Sequence, residues 1–339
     1  MSSLTIAAPN SATQLRPPHN LASMLTVLKR LLERFYAWPG LLLTLAALFW
    51  AGNVVAGRLA VGQVAPLTLV FLRWVMVLAV LWPLYGAQVR QHWPDIRRRL
   101  FGVVLMATLG FTAFNVLFYV AAYYTSAVNI GILQGSMPIF VLTGAFFAHG
   151  TRVSLVQIAG VLITAVGVVV VATRGAPLSI LEIELNRGDL LMLAACVLYA
   201  FYTVALRDRP EMPGAAFFTL LALIAAATSL PLVAFEAVTT GLTMPTFKGF
   251  LVTAYVAIFP SCLSQLFLLR GVDLIGPGRA GVFINLVPVF AAIMAVALLG
   301  EPFAPFHAAA LALVIGGILL AQRTPRAVQR EAVRPASGD

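Results

Sequence analysis

GPGRAGVFINLVPVFAAIMAVALLGEPFAPFHAAALALVIGGILLAQ, Gly276 to Gln322, consists of two long apolar runs that meet at a charged corner, Gly300-Glu301. It has an earlier counterpart. With the chain shifted by 150 residues (281 − 131), Gly131, Pro138, Phe140, Ala145, Gly150, Ala159 and Gly167 fall on Gly281, Pro288, Phe290, Ala295, Gly300, Ala309 and Gly317. These ungapped identities, with a mid-run proline in both copies, point to an internal duplication, and such a repeat constrains the fold more than any single segment does.

Working outward, the whole chain is apolar. Its 339 residues are 61% hydrophobic and 10% charged, with a mean hydropathy of +0.96. Soluble domains carry about 25% charged residues, so this composition excludes a chain that hides its apolar surface by folding in water. Apolar runs of the length needed to cross about 30 Å of hydrocarbon recur throughout. Ten spans are expected, at 39–59, 65–86, 100–122, 126–148, 153–173, 189–206, 215–235, 249–269, 276–299 and 303–322. The fold class is therefore an all-α polytopic membrane protein.

Residues 1–20 read as a disordered tail, and 21–38 as an amphipathic helix on the membrane surface, with Leu21, Met24, Leu25, Leu28, Leu31, Leu32 and Phe35 on one face. The connections are short except at 174–188, which separates a first five-span unit, 39–173, from a second, 189–322; residues 323–339 form a C-terminal tail. If both termini are cytoplasmic, 16 of the 22 Lys and Arg lie in inner segments and only Arg174, Arg187 and Lys248 in outer ones. Positive residues are retained on the cytoplasmic side. This asymmetry sets the orientation and accounts for the net charge of +10 without nucleic acid. A bacterial inner membrane is the expected location. Because each unit has an odd number of spans, the second enters the membrane from the opposite face. Inverted repeats are the architecture with which carriers exchange outward-open and inward-open shapes.

The segment FYVAAYYTSAVNIGILQGSMPIFVLTGAFFAHG and its counterpart FLLRGVDLIGPGRAGVFINLVPVFAAIMAVALLGEP, together with Trp50 in the first span and Arg73 in the second, resemble the repeated signature of EamA-type members of the drug/metabolite transporter superfamily. The resemblance covers about 39–322. It implies ten helices in two inverted five-helix repeats, a central cavity lined mainly by spans 1, 3, 4, 6, 8 and 9, and export of small metabolites or amino acids. One departure stands out: the Gly300-Glu301 corner is answered in the first repeat by Gly150-Thr151.

Pro138 and Pro288 lie midway along spans 4 and 9, where a proline removes a helix hydrogen bond and bends the helix. With Gly131 and Gly281 one or two turns earlier, they mark these spans as gating helices. Arg73 is a charge about 12 Å inside span 2 at helical rise. A buried charge of this kind is either a structural anchor or a contact for a substrate anion. The offset places Ser261 on Phe111 and Gln265 on Asn115, a polar pair related by the repeat. Trp50 with Asn53 and Tyr199 with Tyr202 form a second pair. Tyr119, Gln134 and Asn285 complete the expected cavity lining. Aromatic walls with few polar groups suit amphipathic or zwitterionic organic solutes.

Spans 5 and 10 carry small residues, Gly160, Thr164 and Gly167 on one and Ala308, Ala312 and Gly316 on the other, so close packing and a homodimer contact are expected there. Cys196 and Cys262 are expected to be packing residues. No metal, cofactor or nucleotide-binding motif is expected, and the partners are the bilayer and a small-molecule substrate. Ionisable residues lie at corners instead of along the pathway, which favours facilitated diffusion or exchange. The leading expectation is a secondary transporter working by alternating access; a membrane-embedded transferase and a passive channel are the alternatives.

Overall fold

The computed structural model describes residues 30, 33–151, 153–176, 186–241 and 243–322. The expected tails at 1–20 and 323–339, most of the amphipathic segment at 21–38 and most of the linker at 174–188 lie outside them. Among the described residues the chain is helical, with α1 at Pro39–Ala60, α2 at Pro66–Gln91, α3 at Leu100–Ala121, α4 at Ala127–His149, α5 at Leu155–Ala172, α6 at Arg187–Asp208, α7 at Gly214–Thr240, α8 at Phe247–Ile275, α9 at Arg279–Leu299 and α10 at Pro305–Ala321. A short helix, Trp93–Arg98, joins α2 to α3. Among the described residues nine helices are long and apolar enough to span a membrane, and α10 is a slightly shorter apolar helix. All ten expected spans are present.

The boundaries have local causes. Pro39, Pro66 and Pro305 open α1, α2 and α10 at positions where a missing N–H costs nothing. Ser126, Ser154 and Thr246 cap α4, α5 and α8 with side-chain oxygens. Gly150 and Gly300 end α4 and α9 in the left-handed region, at φ 61° and 65°. A residue with a Cβ is disfavoured there, which is why both copies of the repeat keep glycine at this corner.

Packing follows a two-fold pattern. α5 lies on α10 and α2 on α7, while α1 packs against α8 and α9 as α6 packs against α3 and α4. Exchanging helices 1–5 with 6–10 maps this set of contacts onto itself. In the α5–α10 seam, a Cβ on Gly160 would strike the Ala321 backbone, and one on Gly317 would strike Thr164. The Gly160, Thr164 and Gly167 face of α5 is thus used as expected. On α10 the stripe expected to pack, Ala308, Ala312 and Gly316, faces outward from the bundle, and the stripe buried within it is Ala310, Val314, Gly317 and Ile318. Both stripes have helical spacing, so periodicity alone does not choose between them.

Symmetry breaks at α4 and α9. α1 begins and α10 ends on one face of the bundle, the near face; because successive helices alternate, α4 runs from far to near and α9 from near to far. The first half of α4, Ala127–Gln134, packs closely on the second half of α9, Leu286–Leu299, at the far face. The other two halves have no comparable packing, so the bundle is closed at the far face and parted at the near face.

Candidate functional site

Both α4 and α9 are interrupted just before their prolines, α4 at Gly135 and Ser136 and α9 at Asn285. Pro138 and Pro288 cannot donate to the carbonyls of Gln134 and Ile284, so each helix breaks one turn before the ring. A second symmetric irregularity was not foreseen from the sequence. α3 widens into a π-helical turn at Thr108–Ala113, and α8 does so at Ala257–Leu263. In α8 the cause is Pro260, which cannot supply the α-helical i+4 donor to the Val256 carbonyl; the π register passes that carbonyl on to residue 261, and the Ser261 hydroxyl also donates to it at 2.6 Å. Wide turns of this sort re-aim side chains and free backbone groups, and they gather at functional sites.

These four irregular segments surround a cavity of about 330 Å³, within the range of roughly 300–1,000 Å³ typical of small-molecule sites. Trp50, Asn53, Arg73, Asn115, Gln134, Tyr199, Ser261, Gln265, Asn285, Pro138, Pro288 and Gly281 all line it. Two of the residues expected to line it do not. Tyr119 is sealed behind the wall, where its hydroxyl donates to Asn53 Oδ1 at 2.8 Å and accepts from Arg73 Nη1 at 2.8 Å. Tyr202 is buried edge-on against Phe111. Gly131 lies at the far-face seam, where an added Cβ would sit 2.5 Å from that of Ala291. Trp74, Phe114, Phe218, Thr203, Ile318 and Gln322 also contribute, so α2, α7 and α10 join the six spans expected. The apolar ones among them, Trp74, Phe114, Phe218 and Ile318, gave the sequence no signal that separates cavity wall from core.

Arg73 anchors one wall. It is 6% exposed; its Nε donates to Ser261 Oγ at 2.7 Å, and its Nη1 donates to Asn115 Oδ1 and Tyr119 Oη. The guanidinium carbon lies 4.9 Å from the Trp74 ring centroid, so the aromatic face also attracts the charge. The two repeat-related polar residues therefore have different duties. Asn115 is tied to Arg73 and, through Nδ2, to the Phe111 carbonyl, whereas Gln265 faces the cavity with no hydrogen bond to the described protein. Trp50 is fixed from behind, its indole N–H donating to the Pro260 carbonyl at 3.0 Å.

Val141, Thr203, Leu268, Gly281 and Gln322, all on near-face halves of their helices, carry the cavity lining toward that face. The far face is shut by carboxylates. Glu301, just past the end of α9, accepts from the Ala127 and Val128 amides at 2.9 and 3.0 Å. It thereby caps the N-terminus of α4, where a helix favours negative charge. Arg58 pairs with Glu301 at 3.6 Å and donates to the Ala122 carbonyl. Asp189 at the start of α6 accepts from Thr125 Oγ1 at 2.5 Å, and Glu236 near the end of α7 accepts from the Leu67 and Thr68 amides at the start of α2. The repeat offset puts Thr151 where Glu301 would recur and Pro277, which has no N–H, where Ala127 would. The capping acid is thus confined to the far side.

The fold and cavity together define a polytopic helical membrane protein of two five-helix repeats around a central solute-sized chamber. The chain belongs to the EamA-like transporter family, whose model matches residues 37–173 and again 186–322, one copy for each repeat. It is a transporter. It is similar to the uncharacterized transporter YyaM of Bacillus subtilis, 28% identical over 228 residues, or 67% of this chain and 74% of the relative. YetK, a second uncharacterized transporter of that organism, is 26% identical over 270 residues, covering 79% and 82%. An uncharacterized transporter of Archaeoglobus fulgidus is 28% identical over 290 residues, covering 83% and 96%. A protein crystal structure with 21% identity and a TM-score of 0.59 covers 84% of this chain and 96% of its own; it shares the fold.

Proposed function

We propose that the protein is a secondary carrier that moves small organic solutes, zwitterionic or amphipathic, across a bacterial inner membrane by alternating access, in the direction of export. The observation that carries this reading is the one-sided contact of α4 and α9, closed at the far face and parted at the near face around a cavity between the repeats. In an inverted repeat, exchanging the conformations of the halves turns such a shape into its opposite. With both termini cytoplasmic, the near face is the cytoplasmic one and the cavity is poised to load from inside. Helices broken at Gly135 and Asn285 supply the hinge points, since a segment already lacking a backbone hydrogen bond bends at little further cost.

The test is flux in proteoliposomes with a reversible lock. Gly131→Cys and Ala291→Cys face each other across the far seam, where a Cβ built on Gly131 lies 2.5 Å from that of Ala291. Their disulfide needs about 3.5–4.5 Å between these atoms, so it would widen the seam slightly but tether the two helices and keep it from opening. Saturable flux that stops on oxidation and returns on reduction is the expected outcome. Flux that persists with the seam locked would exclude alternating access, and unitary electrical conductance would point to a channel.

A further inference from the structure

We propose that the cavity selects organic anions: a compact solute docks a single carboxylate on the free arm of Arg73 and satisfies the unpaired amide of Gln134 with a polar group elsewhere on the same molecule. The inference rests on the carrier reading above and names the chemistry of what is carried.

Charge comes first. Arg73 is the one charged side chain among the described residues lining the cavity, and no described carboxylate pairs with it. A cation held in a membrane interior without a counter-charge is costly, and such residues mark substrate or ion pathways; an anion entering the chamber would supply the missing charge. The cluster around Arg73 supplies hydrogen-bond acceptors but no negative charge: Ser261, Asn115 and Tyr119 take up Nε and Nη1. They orient the guanidinium and leave Nη2 without a partner among the described residues. Nη2 is also not among the side-chain atoms sealed from solvent without a partner, so its two N–H groups remain reachable from the chamber that Arg73 lines. Since Arg73 contributes one positive charge, a monoanion neutralises it, whereas a phosphate dianion would leave one negative charge unmatched. Cationic solutes meet the opposite problem, since the described lining offers them no acid.

The second anchor is on the moving wall. Gln134 lines the chamber, but its Oε1 is sealed from solvent and has no hydrogen-bond partner among the described residues; since nothing described bonds the other end of this amide either, a rotation of the side chain is free to turn the oxygen toward a solute. The other such atom, Asn129 Oδ1, belongs to a side chain already held at the far face by Asp189. Leaving an amide oxygen buried and unpaired is costly, and a hydroxyl or amino group on the solute would remove that cost. Gln134 is the last residue before the break in α4. A solute that bridges Arg73 on α2 and Gln134 on α4 would therefore tie occupancy of the site to the position of the gating helix.

The experiment compares uptake by the reconstituted full-length protein from two pools. One contains free amino acids, hydroxy acids and simple carboxylic acids; the other contains the corresponding primary amides. Uptake from the acid pool roughly tenfold or more above the amide pool is expected, the size of one lost charge-assisted hydrogen bond. Equal uptake, or preference for the amides, would overturn the anion site and leave the carrier reading standing; no uptake from either would remove both. Preference for phosphate monoesters over carboxylates would also overturn the assignment. Arg73→Gln should abolish the preference for acids. Because Arg73 also holds its neighbours in place, Gln134→Leu provides an independent arm. It leaves the Arg73 cluster intact and should reduce the preference for amino and hydroxy acids over plain acids by about tenfold. Unchanged selectivity in that variant would remove Gln134 from the site.

Discussion

Asn115 and Gln265 occupy the same place in the two repeats, yet their surroundings give them different work, and substitution should separate the two roles. Asn115→Ala removes the acceptor for Arg73 Nη1 and the donor to the Phe111 carbonyl. A loss of about 1–3 kcal/mol of stability is expected, read as a lowered thermal midpoint in detergent together with altered affinity. Gln265→Ala removes an amide that bonds nothing in the described protein but lines the cavity. It should leave the midpoint unchanged and raise the half-saturating solute concentration about 5- to 30-fold, equivalent to about 1–2 kcal/mol. A fall in stability without a change in affinity for Gln265→Ala would place it outside the site. The repeat makes this pair visible in the sequence; the partner each acquires depends on Arg73, which has Ala222 as its counterpart in the other half.

At the scale of the helix, α4 and α9 show how much of a gate local chemistry encodes. Their mid-span prolines forecast interrupted helices, and both interruptions fall within a turn of the ring. What proline content does not reveal is which halves touch. Gly131 permits the far-face contact, since any Cβ there would meet Ala291 at 2.5 Å. Gly131→Val should prise that seam apart, since overpacking a close contact costs about 1–3 kcal/mol. A cysteine placed at Ala291 is then expected to react several-fold faster with a membrane-impermeant thiol reagent added from the far side. Unaltered reactivity would show that the seam is not set by this contact. The π-helical turns of α3 and α8 were legible only in part: Pro260 is a visible cue, but Thr108–Ala113 contains no proline, and Gly110 there serves the close approach of Tyr202.

For the whole molecule, the consequence lies in the unequal corners of the repeat. Glu301 caps α4 and pairs with Arg58 at the far face, whereas its counterpart Thr151 bears no charge, and the counterpart of Ala127 is Pro277, which has no N–H to offer. On the proposed alternating-access reading, the two halves should therefore close with unequal strength, the state shut at the far face being the favoured one. Glu301→Gln keeps the size of the side chain and removes its charge. It should shift the population toward far-face opening, with a change of about 1–3 kcal/mol for weakened charge-assisted bonds. The readout is the fraction of the Gly131→Cys, Ala291→Cys pair that cross-links under mild oxidation, which should fall in the presence of Glu301→Gln. An unchanged fraction would mean that the carboxylate does not hold the gate.

By itself the sequence determined the class and the topology. Apolar runs of spanning length, a self-match at 150 residues and five runs per copy leave little freedom, because hydrocarbon demands helices and an odd count demands inversion. It also located most of the cavity residues, since polar and aromatic side chains at repeated positions inside apolar helices stand out against their background. Three matters were decided only by tertiary structure. Which stripe of α10 faces α5 depends on the fit of two helices, and both candidate stripes have the same period. Whether Tyr119 faces the chamber or backs Arg73 depends on how α1, α2 and α3 approach one another. The side on which the bundle is shut rests on Glu301 meeting the first turn of a helix more than 170 residues earlier, a contact that no local pattern records.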